Sequence, residues 1–249
     1  MLFLEFTGPL HAGLFFSSWL RFDWRFSQRE SARSHENECQ PVQGMRMNER
    51  LTPVNQALII ANLVVFGVQY FFPGLLERQF ALHPLLSDGF GYGTFKPWQL
   101  VTYAFLHGGF MHLFFNMFAL YMFGSEIERL FGPRRYLIYY LSCVVGAALL
   151  HLLVVQIADL PPAPVVGASG GVFGVLLAFG MAYPRQKLML LFPPIPMPAW
   201  LFVTLYGLLE LYLGITQSAQ GIAHFAHLGG MLTGFILIRY WRQQARRVR

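Results

Sequence analysis

Charge is scarce in this chain. Asp, Glu, Lys and Arg together make 12% of its 249 residues, against roughly 25% in a typical soluble chain, while 55% are hydrophobic and Phe alone occurs 25 times. That balance excludes a soluble globular domain, a disordered segment and a collagen-like chain, and leaves a membrane protein. Cysteine is nearly missing: Cys143 sits in an apolar run and Cys39 in a polar stretch, so neither a disulfide scaffold nor a redox compartment can be read from the pair. The apolar runs lack the alternating polarity of strands, and the two halves of the chain share no pattern. The formal charge of +6 does not point to nucleic acid, because the basic residues fall in short clusters between apolar runs.

What is present is a series of six apolar runs, at residues 54–72, 109–125, 136–158, 165–183, 199–215 and 222–238. A bilayer core about 30 Å thick takes about 20 apolar residues per helix. In hydrocarbon every backbone amide must be paired within its own segment, so runs of this kind are helices. The expected fold is an all-α membrane protein, a six-helix bundle spanning residues 51–241, followed by a basic cytoplasmic tail at 242–249.

Lys and Arg are retained on the cytoplasmic side, and their placement sets the orientation. Arg129, Arg134 and Arg135 follow helix two, Arg185 and Lys187 follow helix four, and Arg242, Arg246, Arg247 and Arg249 end the chain. The opposite loops hold no basic residue at 156–164 and 216–221, and only Arg78 and Lys96 at 73–108. Both termini are therefore expected in the cytoplasm, in a multi-pass protein of the cell (inner) membrane. Residues 1–50 allow three readings: a disordered cytoplasmic tail, an interfacial segment, or an over-long start with initiation at Met45 or Met47. A dispensable tail or a mis-set start is preferred, since residues 48–53 already lead into helix one. No basic start of a signal peptide is present.

Gly167-Ala168-Ser169-Gly170-Gly171 satisfies G-x-S-x-G, but prolines and not a strand precede it, so the strand-to-helix context of a soluble hydrolase is missing. Alone the match reads as small-residue helix packing. Its company changes that reading, because ionisable residues inside a span are costly. Helix six carries His224 and His227; helix two carries His112, with Asn116 one turn on and on the same face. Counted along their helices, Ser169, His227 and His112 all lie within roughly 10 Å of the outer ends. A serine hydroxyl is a weak nucleophile until a neutral imidazole within about 3 Å accepts its proton, the part open to His227. The Ser169 amide, His112 and Asn116 are candidate oxyanion donors. Glu210 belongs to helix five, which enters from the cytoplasm, so no carboxylate is expected beside the pair and a dyad follows. Gly170 with Gly174, and Gly230 with Gly234, are small-xxx-small pairs that bring helices four and six close.

These residues resemble the rhomboid family of intramembrane serine proteases. The match rests on Gly167-Ala168-Ser169-Gly170, on Ala226-His227-Leu228-Gly229-Gly230 with Gly234, and on His112 with Asn116. Trp98, His107 and Glu128-Arg129 support it, and it covers residues 48–240. The resemblance implies a six-transmembrane-helix rhomboid-like bundle, catalysis by Ser169 and His227, an oxyanion hole of His112, Asn116 and the Ser169 amide, and Phe173 stacked on the catalytic histidine. It also implies transmembrane protein substrates within the lipid bilayer, cut near the outer face after a small side chain. Helix five and the loop after it are implied as the gate, with Pro193, Pro194, Pro196 and Pro198 weakening the cytoplasmic end of that helix. Gln99 departs from the Trp-Arg pair of some relatives and puts the loop contacts in question.

The remaining polar residues have plainer readings. His107 shapes the long outer loop, His224 makes a structural hydrogen bond, and His151 is a bonded packing histidine. Glu126, Glu128 and Arg129 form a salt-bridged cap with Arg134 or Arg135. No carboxylate stands at ligand spacing from the histidines, so neither metal nor other cofactor is expected. The alternative function is a catalytically inactive rhomboid-like protein that binds membrane helices; a solute transporter is disfavoured by the off-centre polar cluster and the missing repeat.

Overall fold

The computed structural model describes residues 2–3, 51–85, 93–158, 163–190, 195–216 and 223–247. The readings of residues 4–50, Cys39, Pro193, Pro194, Arg249 and the loop after helix five lie outside these residues.

The apolar runs become helices. In chain order these are α1 (Pro53–Phe71), the short α2 (Glu77–Phe80) and α3 (Gln99–Thr102), α4 (Phe110–Ala119), α5 (Ser125–Phe131), α6 (Pro133–Ile157), α7 (Ser169–Ala182), α8 (Ala199–Thr216) and α9 (His224–Arg247). A π-helical turn, Leu120–Gly124, joins α4 to α5 into one continuous helix. Among the described residues α1, α6 and α8 are long and apolar enough to cross a membrane, and α7 is a shorter apolar helix. The protein is a helical membrane bundle.

The centre of the bundle is α6, α7 and α9. On α6 the fully buried Tyr136, Tyr139, Tyr140, Cys143, Val144, Ala147 and Ala148 form a continuous stripe. Ten of the 14 residues of α7 are buried, so it is enclosed by protein and not by lipid. By contrast α8 buries only Ala199, Val203, Glu210 and Gly214, while Tyr212 and Ile215 are exposed. That is the profile of a peripheral helix with one narrow face on its neighbours.

Glycine sets the spacing at the centre. A Cβ on Gly230 would fall on the Gly170 carbonyl, and one on Gly174 would sit 3.4 Å from the Gly230 carbonyl, so α7 and α9 meet backbone to backbone as the small-xxx-small pairs predict. The same glycines also serve α6: Gly170 faces Ala147, Gly174 faces Cys143 and Gly234 faces Tyr139.

Two expectations are corrected here. Glu128 does not join a salt-bridged cap with Arg134 or Arg135. Its carboxylate accepts from the Thr52 hydroxyl at 2.5 Å and from the amides of Val54 and Asn55 at 3.1 and 2.7 Å, and so caps the first turn of α1 from another helix. Arg129 pairs with Glu126 instead. Asn55 completes the joint by donating to the Leu120 carbonyl at the π turn, 2.8 Å, and by accepting from Tyr136 Oη, 2.9 Å. Secondly, Pro196 and Pro198 lie in a strand and not in a loose lead to α8. A small antiparallel sheet has the order β1 (Leu2–Phe3), β2 (Lys187–Leu190), β3 (Pro196–Pro198), with Leu188 opposite Met197. The Ala199 amide donates to the Gln186 carbonyl at 2.8 Å, which ties down the start of α8.

Candidate active site

The backbone that leads into α7 is held by the long loop after α1. Leu82 and Val165 exchange both backbone hydrogen bonds at 2.9 Å, and the Gly167 amide donates to the Tyr103 carbonyl at 3.0 Å. Gly167 has φ +131°, a conformation that L side chains rarely adopt, and a Cβ there would lie 2.7 Å from the His112 ring. Glycine is thus required twice over. The turn delivers Ser169 to the first position of α7, half-buried, where the backbone amide has no acceptor within its own helix.

α9 begins at His224 and carries His227 three residues in. The His227 Nε2 lies 2.8 Å from Ser169 Oγ. Phe173 stacks flat on the imidazole, with ring centroids 4.2 Å apart and planes 6° from parallel. Tyr206 of α8 backs Phe173, with centroids 4.9 Å apart. The His227 ring is thereby held between a hydrogen bond at its edge and an aromatic face.

The expectation of a pair without a carboxylate is overturned. Glu210 Oε2 is 2.8 Å from His227 Nδ1 and 2.7 Å from His224 Nδ1, and Glu210 is only 4% exposed. The sequence held the signal. Helix five is expected to start from the cytoplasmic side, but Glu210 lies six residues before its far end at Thr216, at roughly 9 Å from that end, where it meets His227. Depth has to be counted from the end the site shares. His224 makes the structural hydrogen bond expected of it.

A carboxylate therefore does stand at ligand spacing, and the ligand atoms of Glu210, His224 and His227 lie within 4.8 Å of one another. The two N···O separations of 2.7 and 2.8 Å are hydrogen-bond lengths. Tetrahedral zinc with bonds of about 2.0–2.1 Å would spread its ligands to about 3.3 Å. The cluster as it stands shares protons.

The remaining expected residues surround the same spot. His112 packs its ring on Gly167, and the Cβ position of Gly167 lies 3.6 Å from Ser169 Oγ, so ring and hydroxyl converge there. The Gly108 amide donates to His112 Nδ1 at 3.4 Å. Asn116 spends one amide hydrogen on the His112 carbonyl at 2.9 Å, which leaves it one further donor. His107 stands edge-on to His112, centroids 5.1 Å apart, and its amide donates to Gln69 of α1 at 2.9 Å. Burial first, and then the His112 ring beside it, lowers His107 to about 4. Gln99 is fully buried and accepts from the Lys96 and His83 amides at 3.0 and 3.3 Å, so it anchors the long loop in its own way. His151 is not the bonded histidine expected: its buried Nδ1 has no hydrogen-bond partner among the described residues.

The family model of the Rhomboid domain matches residues 94–244. The chain is 32% identical over 187 residues to RHOMBOID-like protein 12, mitochondrial, of Arabidopsis thaliana, covering 70% of this chain and 54% of that protein. It is 30% identical over 146 residues to Rhomboid protein 1, mitochondrial, of Saccharomyces cerevisiae, covering 55% and 40%. It is 30% identical over 139 residues to the Rhomboid protease GluP of Bacillus subtilis, covering 55% and 25%. The matches thus span 25% to 54% of those relatives' own lengths. With the Rhomboid domain matched along more than half of its length, the chain belongs to the rhomboid family.

Proposed function

We propose that this protein is a serine endopeptidase that cuts transmembrane segments of other membrane proteins inside the bilayer, near the outer face. The observation that carries the reading is the 2.8 Å contact between Ser169 Oγ and His227 Nε2 beneath the Phe173 ring. His227 takes the hydroxyl proton as Ser169 attacks the scissile carbonyl, and returns it to the leaving amine. The Ser169 amide, His112 and Asn116 donate to the oxyanion. Water then hydrolyses the acyl-enzyme, with His227 as base again. No cofactor takes part in this sequence. A helical peptide bond is shielded by its own hydrogen bonds, so the substrate must unwind locally, and a serine at a helix end that water can reach suits that need. The peripheral α8 is the side from which such a segment enters. Both termini face the cytoplasm of a cell (inner) membrane; the mitochondrial names of two relatives belong to those proteins.

The test is cleavage of reporter single-pass substrates by purified protein in detergent. Ser169→Ala and His227→Ala each abolish cleavage while the folded protein survives, and a fluorophosphonate labels wild type at Ser169 alone. Unchanged cleavage by either variant rejects the reading, and an intact protein that binds the substrates without cutting them points to the inactive alternative.

A further inference from the structure

We infer that Glu210 is a positioning residue for His227, so that the working unit is Ser169–His227–Glu210, and that α8 must be seated on α9 for the base to be set. The inference rests on the protease reading above and deepens it. One carboxylate oxygen, Oε2, meets two ring nitrogens, His224 Nδ1 at 2.7 Å and His227 Nδ1 at 2.8 Å. An ionised carboxylate only accepts, so both nitrogens carry hydrogen. For His227 that assignment leaves the lone pair on Nε2, which is the atom 2.8 Å from Ser169 Oγ. The opposite tautomer would present an N–H to the serine and could not take its proton. When His227 gains a proton during attack, the same carboxylate faces the new cation in a buried place where water cannot.

His224 has a matching part. With both Nδ1 hydrogens on Oε2, the Glu210 carboxylate is shared between two rings set 88° apart and cannot swing to follow one of them. His224 Nε2 has no partner among the described residues, so Glu210 is the bond that orients this ring too. The carrier helix gives the arrangement its consequence. Glu210 and Gly214 are the buried residues in the outer half of α8, and Gly214 only makes room for Phe225 and His224. Among the described residues, Glu210 carries two hydrogen bonds from that half of α8 to α9. Displacing α8 removes the acceptor from His227 and releases its tautomer.

The measurement pairs cleavage kinetics with nitrogen-15 spectra of imidazole-labelled protein, wild type against Glu210→Gln and Glu210→Ala. Wild type shows Nδ1–H tautomers for His224 and His227, assigned by their loss in His224→Ala and His227→Ala. In Glu210→Gln the His227 signal shifts toward the Nε2–H form, and kcat falls by about 10²- to 10⁴-fold, by analogy with amide replacement of the acid in a serine triad, while KM stays within about threefold. Glu210→Ala behaves alike. A disulfide that pins α8 to α9 leaves the Nδ1–H form in place. A kcat within twofold of wild type in Glu210→Gln, a loss confined to KM, or an unchanged His227 tautomer overturns the inference. The failure of the protease reading looks different: wild type cuts nothing, yet Glu210→Gln still switches the tautomer, and the positioning role stands.

Discussion

Gly167 shows how much one residue decides. Its positive φ turns the chain into α7, and its bare Cα is the surface on which the His112 ring rests. In Gly167→Ala the backbone strain alone is worth about 1–3 kcal/mol, and the methyl pushes the ring off its seat. The expected outcome is a folded protein whose unfolding midpoint in detergent drops and whose kcat falls at least tenfold. Phe173 has a smaller part. An aromatic stack is worth about 0.5–1.5 kcal/mol beyond its buried area, so Phe173→Leu should lower kcat by about two- to tenfold, as read from initial cleavage rates, with Phe173→Tyr close to wild type. Ser169 and His227 could be picked as candidates from residue type and helix depth, and Phe173 from the family resemblance. Glu210 was missed because its depth was counted from the start of its helix and not from the end that lies beside His227.

Helices are joined here by single polar groups placed at their ends. Glu128 closes the first turn of α1 with three donors, and those donors lose their acceptor together in Glu128→Ala. A buried donor left unpaired costs about 1–3 kcal/mol, so that variant should unfold at clearly lower temperature or denaturant than Glu128→Gln, which keeps one acceptor oxygen. The α7–α9 contact obeys a different rule: beyond the Ser169–His227 bond at its end, backbone lies on backbone, and only the missing side chains permit it. Gly230→Ala puts a methyl where the Gly170 carbonyl lies. Overpacking of this kind costs about 1–3 kcal/mol, and the two helices can relieve it only by parting, which lengthens the Ser169–His227 contact. Cleavage should fall more than tenfold with a modest loss of thermal midpoint. The glycine pairs were legible in the chain; that α6 would use the same glycines was not, because no spacing says which third helix fills a groove.

Over the whole molecule, stability should depend on pH through the loop above the site. His107 titrates at about 4 in the folded protein against 6.5 ordinarily. The unfolded chain therefore binds this proton more readily, and the stability contributed by the neutral ring is present above pH 6.5 and is lost as pH falls from there toward about 4. Unfolding midpoints measured across that window should decline in wild type and decline less in His107→Gln. The orientation is tested separately: a reporter cysteine in the loop at 217–222 should react with an impermeant thiol reagent from outside intact cells, and one beyond residue 247 should not. The reverse labelling would invert the bundle.

From its own residues the chain determined its solvent, its helices and the pair, Ser169 and His227, proposed as nucleophile and base, because each depends on local composition or on distance along a single helix. Short range physics suffices there: an apolar run can satisfy its amides in lipid only by coiling. Contacts between helices that are far apart in sequence were decided by tertiary packing alone. Pro196–Pro198 became a strand because a partner backbone was within reach, Glu128 capped a helix 73 or more residues away, and Glu210 met two imidazoles across a helix interface. Each of these outcomes follows from which buried polar group found which partner, and that choice exists only once the helices are side by side.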